Sequence, residues 1–119
     1  WLAQREPNRP FFIFLNYMEA HRPFIPPRRF REDMMTPEQV ERSYQVDRSW
    51  VPMWSYTFGL KEYSDEELAV MAATYDACLA ELDAMFEQLL RVLGSTVDLD
   101  DTVIVLTADH GELLTAKVG

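Results

Sequence analysis

Residues 64–94 read SDEELAVMAATYDACLAELDAMFEQLLRVLG, and this stretch sets the architecture around it. Ser64 followed three residues later by Glu67 is a capping box, the reciprocal pairing that opens a helix. Leu68, Met71, Tyr75, Leu79, Leu82, Phe86, Leu89 and Leu93 then recur at spacings of three and four. That period predicts one long amphipathic helix over about residues 65–93, with an apolar stripe for a core. Gly94 supplies its C-terminal stop.

Each side of this helix carries an apolar run. Pro10-Phe-Phe-Ile-Phe-Leu-Asn16 lies upstream and Thr102-Val-Ile-Val-Leu-Thr107 downstream. Short uninterrupted runs of this kind suit strands buried on both faces, as in a parallel sheet. Strand, helix, strand is a βαβ unit, so the reading is an α/β fold with parallel strands at about 10–16 and 102–107. Residues 22–63 form a long irregular loop in this reading, holding five of the seven prolines, two of the three tryptophans and a short helical candidate, Pro37 to Tyr44. The loop's aromatics, Tyr44, Trp50, Trp54, Tyr56 and Phe58, predict that it packs against something.

Composition narrows the function classes. The 119 residues are 48% hydrophobic and 26% charged, which excludes a low-complexity or fully disordered chain. The longest apolar run, Phe11 to Leu15, is far short of the ~18 residues of a membrane span. Net charge is -9, and residues 62–119 carry thirteen acidic side chains against two basic. Such a surface repels phosphate backbones, so no nucleic-acid partner is expected. A single cysteine, Cys78, excludes an internal disulfide and a cysteine-rich zinc site. It sits within the helical stripe and reads as a packing residue.

The chemistry concentrates at two turns. His21 follows the first run, in Asn16-Tyr-Met-Glu-Ala-His-Arg-Pro23, and His110 follows the second, in Thr107-Ala-Asp-His-Gly-Glu112. Loops beyond the carboxyl ends of parallel strands converge, and ligands bind there. Asp109 and His110 at such an end can turn an oxygen and an imidazole toward one cation, with Gly111 permitting a tight turn. Arg22, Arg28, Arg29 and Arg31 follow His21 closely and read either as an anion-attracting cluster or as solvated partners of nearby acids.

Taken together, Phe11-Phe-Ile-Phe-Leu-Asn-Tyr-Met-Glu-Ala-His-Arg-Pro-Phe-Ile-Pro-Pro27, Tyr75-Asp-Ala77 with Leu82-Asp83 and Leu89-Leu90, and Asp101-Thr-Val-Ile-Val-Leu-Thr-Ala-Asp-His-Gly-Glu112 resemble the sulfatase family. The three motifs run in the family's order across roughly residues 8–114. The resemblance implies a partial alkaline-phosphatase-like fold and residues 1–119 as part of one sulfatase-type catalytic domain, incomplete at both ends. It implies hydrolysis of small-molecule or carbohydrate sulfate esters with a divalent cation, usually calcium. It further implies Asp109 and His110 as metal ligands and His21 as the contact to the sulfate or its leaving group. The family's nucleophile is a formylglycine made within a Cys/Ser-x-Pro-x-Arg signature; neither that signature nor the family's earlier acidic pair is in this chain, so both are expected in the missing N-terminal part. Cys78, followed by Leu-Ala-Glu-Leu82, does not match the signature. Lys117 falls too early for the lysine that usually follows the Asp-His pair. The isolated chain is therefore expected to be inactive. Histidine beside the aspartate also occurs in choline-sulfatase-like and phosphonate-monoesterase-like members, so a phosphodiester or phosphonate substrate is the alternative. A non-catalytic α/β binding module is a third reading.

Overall fold

A computed structural model describes residues 1–6, 9–112 and 114. Its elements are helical. A single 3-10 turn, Leu2–Gln4, precedes α1 (Arg28–Met34), α2 (Pro37–Ser43), α3 (Trp50–Thr57) and α4 (Asp65–Gly94). The predicted helix is therefore present within a residue or two of its expected bounds. Its start is the expected capping box: Ser64 accepts from the Glu67 amide while the Glu67 carboxylate takes the Ser64 amide. Asp65, Glu66 and Glu67 add negative charge where the helix dipole is positive.

The end of α4 differs from the sequence expectation. Gly94 is the last helical residue, and the cap, Ser95, stays right-handed at φ -82°. The final carbonyls are met by backbone amides, Ser95 donating to Arg91 and Thr96 and Val97 to Leu93, and by hydroxyls, Ser95 donating to Val92 and Thr96 to Val92 and Leu93. Glycine is useful at 94 for space, because a Cβ there would lie 3.3 Å from the Leu99 side chain.

The 22–63 segment, expected as irregular loop, supplies three helices. Thr36 caps α2 through a second capping box with Gln39, and Pro37 sits at the first turn, where its missing N–H costs nothing. Of these short helices α1 and α2 pack on α4, and α3 sends Met53 and Tyr56 into the same core. Val40, Val46, Met53, Tyr56 and Tyr63 meet Val70 and Met71 in one buried cluster, with Met35 at its edge. Tyr63 donates its hydroxyl to the Asp47 carbonyl at 2.6 Å, so the chain between α2 and α4 is pinned at both ends of that contact. Phe24 packs edge-on to Tyr75 with ring centres 5.3 Å apart, which brings the segment after His21 onto α4.

On α4 itself the buried face is Val70, Met71, Thr74, Ala77 and Cys78, with Leu93 near the end. Leu79, on the expected stripe, is exposed. The later stripe residues Leu82, Phe86 and Leu89 are half-buried, and Leu93 is buried.

The α/β expectation is overturned. Among the described residues there is no strand, and residues 10–16 and 102–107 carry neither helix nor sheet pairing. Their side chains stand in solvent: Phe12 is 87% exposed, Phe14 78%, Val103 90% and Val105 80%. The physical reason is that an apolar run records a preference for burial, whereas a strand also needs a neighbour to take its amides and carbonyls. The two runs do not supply each other with that neighbour, so no parallel βαβ unit forms. The outline reflects this. The radius of gyration is 18.6 Å and the extents are 57 × 32 × 20 Å, against ~13–14 Å expected of a compact domain of this length.

Candidate functional site

His21 is set by a tight turn, its amide donating to the Met18 carbonyl at 3.0 Å. The next peptide bond but one, Arg22-Pro23, is cis. The His21 ring is half-buried, and its Nδ1 lies 2.9 Å from the Arg22 carbonyl oxygen. A carbonyl only accepts, so Nδ1 carries the hydrogen and Nε2 is left to face a ligand. Trp50, the first residue of α3, stands beside the imidazole with ring centres 5.8 Å apart.

Arg22 connects this turn to the other one. Its guanidinium lies over the Trp50 ring at 5.8 Å and pairs with Glu112 at 3.2 Å. That pair is nearly closed off, the two side chains being 8% and 13% exposed. Residues 22 and 112 are immediate neighbours of the two histidine turns, so the ion pair draws together the regions that sequence reasoning singled out. Ninety residues separate Arg22 from Glu112, and neither spacing nor periodicity in the sequence signals the contact.

Asp109 and His110 are exposed, their side chains 92% and 60% accessible. The Asp109 carboxylate takes the His110 amide at 3.0 Å. His110 Nδ1 lies 2.7 Å from the Gly111 carbonyl, which again puts the hydrogen on Nδ1 and leaves Nε2 as the lone-pair nitrogen. The hydrogen bond to Gly111, and then the charge of Asp109, hold the His110 pKa above its ordinary value. Gly111 makes this turn without entering the left-handed region, which among the described residues only Gly59 occupies, at φ 71°.

Asp109 Oδ1 and His110 Nε2 stand 4.0 Å apart, close enough to share one ion, and the imidazole tautomer is the ligating one. Among the described residues no group of three His, Cys, Asp or Glu side chains gathers for a metal. These two residues thus fit as members of a larger ligand set and do not complete it.

The arginine cluster is dispersed by the fold. Arg28 bridges Glu32 at 2.7 Å and Glu41 at 2.9 Å on the surface. Arg31 is buried and donates to the Pro26 carbonyl and the Ser43 hydroxyl. Arg29 covers the Phe30 ring. The cluster therefore reads as structural pairing rather than as an anion cradle. Glu19, two residues before His21, is a further acid near the turn; with burial as the larger cause, its charge raises the Glu81 pKa, and Arg29 opposes both. Cys78 is fully buried on α4, and burial, followed by Glu81, pushes its thiol up to about 11. A thiol so placed is no nucleophile at neutral pH. Lys117 lies outside the described residues.

Comparison with known proteins bears directly on these two turns. The family model described as Sulfatase matches residues 1–118. The chain belongs to the sulfatase family. Among curated sulfatase-family relatives and their superfamily, it is 30% identical to the "Multifunctional alkaline phosphatase superfamily protein PehA" of Trinickia caryophylli, over 90% of this chain and 24% of that protein. It is 27% identical to a choline-sulfatase of Rhizobium meliloti, over 92% of this chain and 23% of the relative. An arylsulfatase of Clostridium perfringens is 23% identical, over 96% and 24% respectively. The sulfatase chain thus spans about a quarter of the length of these relatives. No solved structure gives a significant match.

Proposed function

We propose that this chain is a section of a sulfatase-type hydrolase and contributes to its active site the histidine that meets the leaving group and two of the metal ligands. Membership of the sulfatase family over residues 1–118 is the observation that carries the reading. The geometry of the turns supports the individual roles. His21 is held by its Nδ1 hydrogen bond to the Arg22 carbonyl, so when the ring is an imidazolium its second proton is on Nε2 and can pass to the oxygen of a departing alcohol, leaving the neutral Nδ1–H ring. Asp109 and His110 would hold a divalent cation, in this reading calcium, whose charge would stabilise negative charge on the ester's anionic oxygens. Arg22 and Glu112 keep the two turns in register.

In this reading the nucleophile, a formylglycine, comes from a segment outside these 119 residues. Cys78, buried and protonated, is unsuited to the part. The chain by itself should then turn over no ester. The second reading, hydrolysis of phosphodiesters or phosphonate monoesters, rests on the histidine beside Asp109, and similarity to a protein named as a multifunctional member of the alkaline phosphatase superfamily is in keeping with more than one substrate class.

The test is turnover by the full encoded protein of 4-nitrophenyl sulfate and of an aryl phosphodiester. Hydrolysis of the sulfate with the better kcat/KM supports the leading reading, and preference for the phosphodiester supports the second. His21→Ala should lower kcat about 10²-fold or more on a substrate with a poor leaving group, the magnitude of a lost general acid. Absence of turnover on both esters, or a His21→Ala enzyme as fast as the parent, would refute the assignment.

A further inference from the structure

Helix α3 is two-faced. Met53 and Tyr56 enter the core, while Trp50, Val51 and Trp54 turn outward and are exposed. Trp50 and Trp54 are one helical turn apart, with their rings edge to face at 6.1 Å. Together with Val51 they line an open apolar recess of about 410 Å3. Exposed apolar side chains occur elsewhere on the chain, at residues 12–15 and 103–106, but those runs precede the two histidine turns in sequence, and among the described residues no ring contact joins them to either imidazole. At the α3 recess the Trp50 ring adjoins the His21 imidazole at 5.8 Å, and the Arg22 guanidinium lies over the same ring.

We propose that Trp50 and Trp54 form the wall that receives the organic half of the ester, and that they select an aromatic alcohol over an alkyl one. The inference rests on the reading of His21 as the leaving-group contact. An alcohol oxygen within reach of His21 Nε2 places its substituent against Trp50, because the two rings are already neighbours. An aryl group can then stack on or meet the edges of the two indoles at the usual ~4.5–7 Å between ring centres. A cationic alcohol is disfavoured there, since a guanidinium already lies over the Trp50 ring. A polyhydroxylated alcohol is disfavoured too, as Trp50, Val51 and Trp54 offer its hydroxyls only the two indole N–H groups. Contact with His21 and Arg22 also holds Trp50 in place before binding, which lowers the ordering cost of the encounter.

Binding of unreactive probes tests this without requiring turnover. In the full encoded protein, benzenesulfonate and methanesulfonate share the anionic head and differ only in the organic half. Calorimetric titration should show benzenesulfonate binding at least tenfold more tightly to the parent. Trp50→Leu and Trp54→Leu should each weaken benzenesulfonate five- to tenfold while changing methanesulfonate less than twofold, and Trp50→Phe should restore most of the loss. Equal weakening of both probes in the leucine variants, no weakening, or no preference in the parent would overturn the proposal. The sulfatase reading fails separately, through absence of ester turnover in a protein that still discriminates between the two probes.

Discussion

Arg31 and Arg48 are buried cations whose partners are carbonyls and a hydroxyl rather than carboxylates. Arg48 donates to the carbonyls of Ser43 and Phe24, and Arg31 to the carbonyl of Pro26. Burial lowers the pKa of both, and the charge of Arg31 adds to the effect at Arg48. Their hydrogen bonds hold residues 24 and 26 in place, just past His21, so two structural side chains govern where a functional turn can sit. Truncating Arg48 strands two buried acceptors, each costing about 1–3 kcal/mol. Arg48→Leu should therefore destabilise the fold by roughly 2–4 kcal/mol in denaturant unfolding, with Arg48→Lys recovering part of it. An unfolding midpoint within error of the parent for the leucine variant would contradict this. From the sequence these arginines look like surface charges in a basic loop, because nothing in residues 22–48 marks which of six arginines will be enclosed. His21, Asp109 and His110 are legible for the opposite reason. Histidine occurs only twice in this chain, each time just past the end of an apolar run, and Asp109 adjoins the second, so local pattern alone singles them out.

At the scale of elements, α4 is the part most fully written into local sequence. Its period, its capping box and its acidic first turn all act within a few residues of one another. The Glu67 carboxylate sits below its ordinary pKa, first because it accepts the Ser64 amide. A depressed carboxylate pKa contributes stability that is present above about 4.5, the unfolded value, and is lost as pH falls through the lower folded value. Acid titration followed by circular dichroism should thus show the helix start loosening below the ordinary carboxylate range, and Glu67→Gln should flatten that step. Ser64→Ala should cost about 1 kcal/mol at neutral pH, the usual value of an N-cap. A Ser64→Ala protein of unchanged stability would show that packing on α1 and α2 alone sets the helix start. The short helices are less legible. α2 has its own capping box and Pro37, and is expected; α1 and α3 lie in a proline- and aromatic-rich stretch whose local pattern resembles loop, and tertiary packing stabilises them, α1 on α4 and α3 through Met53 and Tyr56 in the core.

The whole molecule is an elongated helical body with two unpaired apolar segments. Phe12, Phe14, Val103, Val105 and Leu106 are largely exposed, which is more contiguous apolar surface than an isolated soluble chain usually carries. The 119-residue chain alone should associate with increasing concentration in sedimentation velocity and should bind a hydrophobic dye. Replacing Phe12, Phe14, Val103 and Val105 by lysine should suppress both effects. A monomer at all concentrations with no dye binding would mean that these segments are covered in solution. The net charge of -9 opposes association in general, and its concentration in residues 62–119 leaves the apolar run at 11–15 the less protected of the two.

Local information is what the sequence by itself determined. It includes the place of α4 and its cap, the presence of α2, the absence of an internal disulfide, and two histidine turns whose motifs are those of a sulfatase. These features depend on residues within one or two turns of each other, so composition and spacing are enough to read them. Tertiary structure alone decided which apolar residues are covered, and there the expectation of parallel strands failed, since pairing requires a neighbour that no run of aliphatic residues can specify. It alone joined Arg22 to Glu112, buried Arg31 and Arg48, and brought Trp50 against His21. Each of those contacts spans a separation over which side-chain chemistry leaves no periodic trace, and only packing brings the partners within reach.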